Sequence, residues 1–206
     1  MESWAGKITL AIQAMSYWEV FAVLLGVAYL LLAVRESLWC WYAAFVSTAI
    51  FLYLFWNVNL LMESALQVYY LIMAVYGWWQ WRRGATENQQ FPGGLSISSW
   101  SLRSHLLAIG AVLLTSVISA ALLGKFTNAA LPLLDSFTTW GSILTTWMVT
   151  RKILENWLYW LVIDSVSIYL YLDRGLYLTA ILFMAYLVIV LFGYRKWLRH
   201  YRETSN

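Results

Sequence analysis

The chain carries few groups able to do chemistry, and those it carries recur at helical spacing. Asn156, Trp160, Asp164, Ser167 and Tyr171 follow one another at i, i+4, i+8, i+11 and i+15, which puts all five on one face of a helix. Glu63, Gln67 and Tyr70 repeat the pattern at i, i+4 and i+7, and Asp135, Thr138, Ser142 and Thr145 form a third stripe. An aromatic wall beside a carboxylate suits a cationic aromatic ligand. Trp160 would stack on its ring and attract its charge, Asn156 would pair with a polar edge, and Asp164 would face positive charge or hydroxyls. For the serines and threonines, packing is the simpler account, because hydroxyls bond across helices. Glu63 and Asp135 lie near helix ends, where a solvated or capping carboxylate competes with a ligand role. Nothing resembles a turnover site. There is no His-Glu-x-x-His, no phosphate-binding Gly-x-x-x-x-Gly-Lys loop and no Gly-x-Ser-x-Gly elbow. His105 and His200 sit at helix ends away from any carboxylate cluster. No metal, cofactor or catalytic residue is therefore expected, and ATP hydrolysis by this chain is not.

The elements that hold these stripes are membrane helices. Of 206 residues, 62% are hydrophobic and only 11% charged, against about 25% charged in soluble domains. Such a chain cannot cover itself with a wetted surface, so its solvent is lipid. A span needs about 20 apolar residues, and seven runs fit: 17–34, 38–56, 60–81, 105–124, 136–150, 156–172 and 175–194. The expected fold is an all-α integral membrane protein, one transmembrane domain over residues 1–206. The long polar loop, 82–103, separates the third and fourth spans. Residues 1–15 lack a basic segment followed by a long apolar core, so they read as an interfacial lead-in rather than a signal peptide. The single Cys40 forms no internal disulfide. Among 14 tryptophans, Trp4, Trp18, Trp100, Trp197 and the Trp78-Trp79-x-Trp81 cluster read as interface anchors. Trp160 shares a face with Asp164, and Trp157 could stack or anchor.

Charge orients the chain. Arg35, Arg82, Arg83, Arg103, Arg151, Lys152, Arg195, Lys196, Arg199 and Arg202 fall on one side, and Lys7, Lys125 and Arg174 on the other. The richer side is expected in the cytoplasm, with the N-terminus outside and the C-terminus inside. The net charge of +3 is thus a topology signal, and nucleic acid is not an expected partner.

An internal repeat is also visible. Residues 36–53 align with 155–172 at an offset of 119, matching Glu36 to Glu155 and Trp41 to Trp160. After a three-residue deletion, 60–81 align with 176–197 at an offset of 116. Tyr70 then matches Tyr186, Gly77 matches Gly193 and Trp81 matches Trp197. This gives a first three-helix unit over 17–81, a linking helix over 105–124 and a second unit over 136–194. Parallel repeats of this kind are a transporter arrangement with the site at the repeat interface.

Several motifs resemble the PnuC family of nicotinamide riboside transporters. They are Thr150-Arg151-Lys152-x-x-Glu155-Asn156-Trp157-x-x-Trp160, Leu66-Gln67-Val68-Tyr69-Tyr70, Tyr76-Gly77-Trp78 and Gly175-Leu176-Tyr177. The likeness runs from residue 17 to residue 197. It implies a fold like the SWEET sugar transporters, with two parallel three-helix bundles joined by a linking helix (3-1-3), and a homotrimer. It implies facilitated uptake of nicotinamide riboside across a bacterial inner membrane, by alternating access around a mid-membrane site between the bundles. Trapping by a cytoplasmic kinase would feed pyridine nucleotide and NAD biosynthesis. Carried over by motif, the binding residues are Gln67, Asn156, Trp157 and Trp160, with Tyr70 and Asp164 added from the stripes. One departure is Ser37, which the 119 alignment places opposite Asn156 where the family suggests asparagine. Thiamine or another B-vitamin is the alternative cargo. A membrane enzyme and a purely structural assembly subunit are the rivals from other classes.

Overall fold

The computed structural model describes residue 6 and residues 15–57, 61–87, 95–126 and 131–205. Trp4 and Lys7, assigned above, lie outside the described residues. Among the described residues seven long helices follow in order: α1 Tyr17–Val34, α2 Trp39–Asn57, α3 Leu61–Glu87, α4 Leu102–Phe126, α5 Pro132–Thr150, α6 Asn156–Asp173 and α7 Tyr177–Ser205. The seven expected spans each match one of them. The expected loop is shorter than the sequence indicated, because α3 continues through Arg82 and Arg83 to Glu87. Four helices, α1, α2, α4 and α7, are long and apolar enough to cross a membrane on composition alone. The other three, α3, α5 and α6, are those with the polar stripes, so their polarity has to turn inward.

The packing order follows the chain with one jump. α1 packs on α2, α2 on α3, α3 on α5, α5 on α6, α6 on α7, and α7 returns to α1. Six helices thereby close a ring, and α4 lies against α5 outside it. Exchanging α1–α3 with α5–α7 maps the α1–α7 contact onto the α3–α5 contact, as a two-fold axis through the ring would.

Local structure recurs at a constant offset of 116 residues. α1 ends in a Schellman turn: Glu36 N–H donates to the Ala33 carbonyl and Ser37 N–H to the Leu32 carbonyl. α5 ends identically, with Lys152 donating to Val149 and Ile153 to Met148. Glu36 and Lys152 hold the left-handed conformation, at φ 55° and 49°. That conformation ordinarily selects glycine, as at Gly175 (φ 72°) after α6. The offset of 119 between α2 and α6 is therefore not what the structure shows. Glu36 corresponds to Lys152, Trp41 to Trp157, and Cys40, not Ser37, to Asn156. The three-residue deletion disappears.

Two glycines make the bundles possible. A Cβ on Gly77 would come within 2.3 Å of the Trp41 ring, and one on Gly193 within 2.6 Å of the Trp157 ring. The ring of each tryptophan at the start of a middle helix thus occupies the place of the missing Cβ on the third helix of its bundle. The large ring cannot withdraw, because Trp41 and Trp157 are both buried. Gly77→Ala and Gly193→Ala are each expected to destabilise by about 1–3 kcal/mol, the cost of overpacking. Gly110→Ala, where a Cβ meets nothing within 4 Å, should not destabilise. Thermal unfolding of the purified variants measures the difference.

Candidate substrate site

The α6 stripe faces the interior. Asn156, Asp164 and Ser167 are buried, and Trp160 and Tyr171 half-buried. The Asn156 amide donates to the Ile153 carbonyl at 2.6 Å, which leaves its Oδ1 buried without a partner. Buried acceptors are rarely left unpaired, so this oxygen is suited to a ligand donor. Asp164 is only 4% exposed and lies in the electrostatic neighbourhood of Tyr70, Tyr171 and Tyr186. The Tyr171 ring packs on Phe183 at 4.9 Å, and Phe183 on Tyr186 at 5.3 Å. The three tyrosines in that neighbourhood come one each from α3, α6 and α7.

The α3 stripe divides. Tyr70 and Gln67 are half-buried, whereas Glu63 is exposed at the start of the helix. Tyr70 reaches Ser142 of α5, and its neighbour Tyr69 donates to the Ile143 carbonyl at 2.7 Å. The α5 stripe is mostly structural. Asp135 takes a two-pronged bond from Arg174, at 2.7 and 2.5 Å. Thr138 and Thr145 donate to carbonyls of their own helix.

Tyr186 is a further candidate that the stripes did not bring out, although the 116 alignment pairs it with Tyr70. Its hydroxyl lies 3.4 Å from where a Cβ on Gly26 would stand, and Gly26 corresponds to Ser142 at the same offset. One tyrosine therefore crosses each contact between the bundles. The lining is otherwise unequal. The counterparts of Asn156, Trp160, Asp164, Ser167 and Tyr171 on α2 are Cys40, Ala44, Thr48, Phe51 and Phe55, and the counterpart of Gln67 is Phe183. At these aligned positions the amide, carboxyl and indole groups belong to α3 and α6, whereas α2 and α7 carry Ala44, Phe51, Phe55 and Phe183.

Several tryptophans correct the sequence reading. Trp81 and Trp197 are fully buried rather than interfacial. The Trp81 indole donates to the Val149 carbonyl at 3.3 Å and the Trp197 indole to the Ala33 carbonyl at 3.2 Å. Each bond crosses from one bundle to the other, at positions related by the offset of 116. Trp157 is also buried and meets Trp197 edge-on at 5.3 Å, so it is not an anchor. Trp18 and Trp79 are exposed, as anchors are, and Arg83 lies 4.3 Å over the Trp79 ring.

The basic end holds a second constellation that sequence reasoning passed over. The Lys152 ammonium, fully buried, bonds Glu36 at 2.8 Å, and His200 Nδ1 lies 2.6 Å from the other carboxylate oxygen. His200 thus touches one carboxylate, Glu36, a contact that the sequence alone did not indicate. The ammonium also sits 4.6 Å over the Trp81 ring. Burial disfavours the ionised Glu36 carboxylate, but Lys152 and then His200 outweigh it and hold its pKa below the ordinary range. Stabilisation from Glu36 is accordingly present above the unfolded carboxylate pKa and is lost as pH falls through the lower folded value. The Arg151-Lys152 pair looked like a boundary signal because a lysine beside an arginine at a helix end is ordinarily wet.

The family model for the nicotinamide mononucleotide transporters matches residues 16–199. The chain belongs to that family. It is 28% identical over 185 residues to the riboflavin/roseoflavin transporter RibM of Streptomyces davaonensis, spanning 89% of this chain and 85% of that one. It is 25% identical over 213 residues to the nicotinamide riboside transporter PnuC of Escherichia coli, spanning 93% and 89%. A crystal structure of the vitamin B3 transporter PnuC superposes with a TM-score of 0.76 at 17% identity, covering 95% of this chain and 86% of that chain. That likeness extends the fold over nearly the whole chain, a multi-pass helical membrane protein of PnuC type.

The inward stripe predicts an order of mutational effects on ligand affinity. Trp160→Ala removes an aromatic face worth about 2 kcal/mol when desolvated, or roughly 30-fold in Kd. Trp160→Phe should lose less, and Asn156→Ala about 1–3 kcal/mol. Trp18→Ala is the control, because Trp18 is exposed, and it should leave affinity unchanged. Titration calorimetry on folded variants reads the series; equal affinities for Trp160→Ala and Trp18→Ala would show that the stripe is packing.

Proposed function

We propose that the protein is a facilitator for nicotinamide riboside, taken up across the bacterial inner membrane. Its site lies inside the six-helix ring, between units 17–81 and 136–194. The observation that carries this reading is the one-sided polar wall. Asn156 offers an unpaired acceptor, Asp164 a carboxyl, and Trp160 an aromatic face, all on α6, with Gln67 and Tyr70 on α3. Nicotinamide riboside presents an amide, a cationic ring and a hydroxylated ribose, groups that such a wall can address separately. Alternating access would expose this wall to each face in turn. The orientation follows the charge bias, with the C-terminus in the cytoplasm. Without a nucleotide site, net uptake relies on the gradient and on a cytoplasmic kinase that traps the product for NAD synthesis. The homotrimer is carried over from the family resemblance.

Riboflavin is the second reading, because the RibM relative is named for it. Its ring is larger and uncharged, so the Asp164 carboxyl would have hydroxyls rather than a cation to face. Thiamine, another cationic aromatic vitamin, matches the wall on charge but carries no ribose.

A thermal-shift screen of the purified protein against nicotinamide riboside, riboflavin and thiamine separates the three. A ligand at 100 times its Kd stabilises by about 2.7 kcal/mol. Nicotinamide riboside should raise the melting temperature at the lowest concentration, and a larger shift with riboflavin or thiamine would reassign the cargo.

A further inference from the structure

The basic end of the ring is shut where two corresponding residues meet. Residues related by a two-fold operation touch one another only near the axis. Glu36 and Lys152 do so at 2.8 Å, and the Trp81 and Trp197 rings at 6.2 Å. Identical side chains at the first pair would repel; the sequence places opposite charges there. Both residues occupy a left-handed position that is strained for any residue but glycine. After α6, where the same turn needs no side chain, the chain uses Gly175. A buried ion pair adds little net stability and acts chiefly through geometry.

A strap lies over the pair. Ser98 bridges Ile153, with Ser98 N–H donating to the Lys152 carbonyl at 3.1 Å and Leu154 N–H to the Ser98 carbonyl at 2.8 Å. The Ser99 hydroxyl and the Trp100 amide both donate to the Glu155 carboxylate. Ile97 is buried in the same core as Trp81 and Trp197. The cavity remaining beside Glu36, Lys152 and His200 measures about 10 Å³, too small for any solute larger than water. These pins hold the α5–α6 turn. Glu36 is bound from the other bundle by Lys152 and His200 side chains.

We propose that the Glu36–Lys152 pair is the bolt of this end's gate. When it parts, the α1–α2 turn swings from the strapped α5–α6 turn and the ring opens toward the basic face. Lys152 is then a positioning residue, acting on access rather than on ligand. The proposal rests on the transport reading, but its test needs no substrate and so fails separately.

Cys40, the only cysteine in the chain, supplies the reporter. It is fully buried, in the electrostatic neighbourhood of Lys152. Its labelling by a charged, membrane-impermeant methanethiosulfonate reagent is to be timed in lipid nanodiscs, where both faces are reached. Glu36→Gln and Lys152→Gln should each accelerate labelling about tenfold over the unaltered protein. Arg174→Gln, which breaks the ion pair on the opposite side of the ring, should not. Removing the lysine charge beside the thiol would by itself make the thiolate scarcer and slow the reaction. Acceleration in Lys152→Gln therefore reports access, not reactivity. Labelling as slow as in the unaltered protein in both gate variants, or equally fast in Arg174→Gln, overturns the proposal.

Discussion

The structure depends on one constraint: two copies of a three-helix pattern must meet themselves across an axis, and whatever sits on that axis faces its own counterpart. Bulky aromatics tolerate this. Trp81 and Trp197 pack together and send their N–H groups outward to the Val149 and Ala33 carbonyls of the opposite bundle. Charges do not tolerate it unless one copy is inverted, and Glu36 against Lys152 is that inversion. The tryptophan rings in turn need Gly77 and Gly193, because only a backbone without Cβ lets Trp41 and Trp157 lie in place. Ion pair, tryptophans and glycines are thus one assembly, and it occupies the basic end.

The same near-symmetry explains the site. A ring of six helices built from equivalent halves offers two equivalent walls. Here they have diverged. The α6 stripe keeps amide, carboxyl and indole, while α2 carries Cys40, Ala44 and Thr48 at those places. A ligand with one polar, charged side and one flat side would bind in a single orientation. Tyr70 and Tyr186 retain the older equivalence, each reaching across one contact between bundles. In the proposed opening of the ring both contacts would have to change, so these tyrosines would link the proposed lining to its access.

Much of this was legible in sequence. All seven helices followed from apolar runs, because lipid demands length and hydrophobicity with little regard to detail. The stripe from Asn156 to Tyr171 followed from helical spacing, and burial of Asn156, Asp164 and Ser167 agrees with it. Register was harder. An apolar helix matches another at many offsets, and Glu36 opposite Glu155 scored as an identity where the true counterpart, Lys152, scores as a clash. Opposite charge on an axis is invisible to a comparison that rewards sameness. Trp81 and Trp197 were misplaced for a related reason: tryptophan near a basic helix end is usually interfacial, and the carbonyls these two bond, Val149 and Ala33, are distant in sequence. The 95–101 strap has no periodic signal at all.

The most direct measurement is a structure with nicotinamide riboside bound. The account predicts the ligand inside the ring against α3 and α6, with a polar group hydrogen-bonded to Asn156 Oδ1, the ring on Trp160, and Asp164 facing its charge or its hydroxyls. A ligand seated against the Cys40, Ala44 and Thr48 face of α2 without touching α6, or outside the ring beside α4, would contradict it.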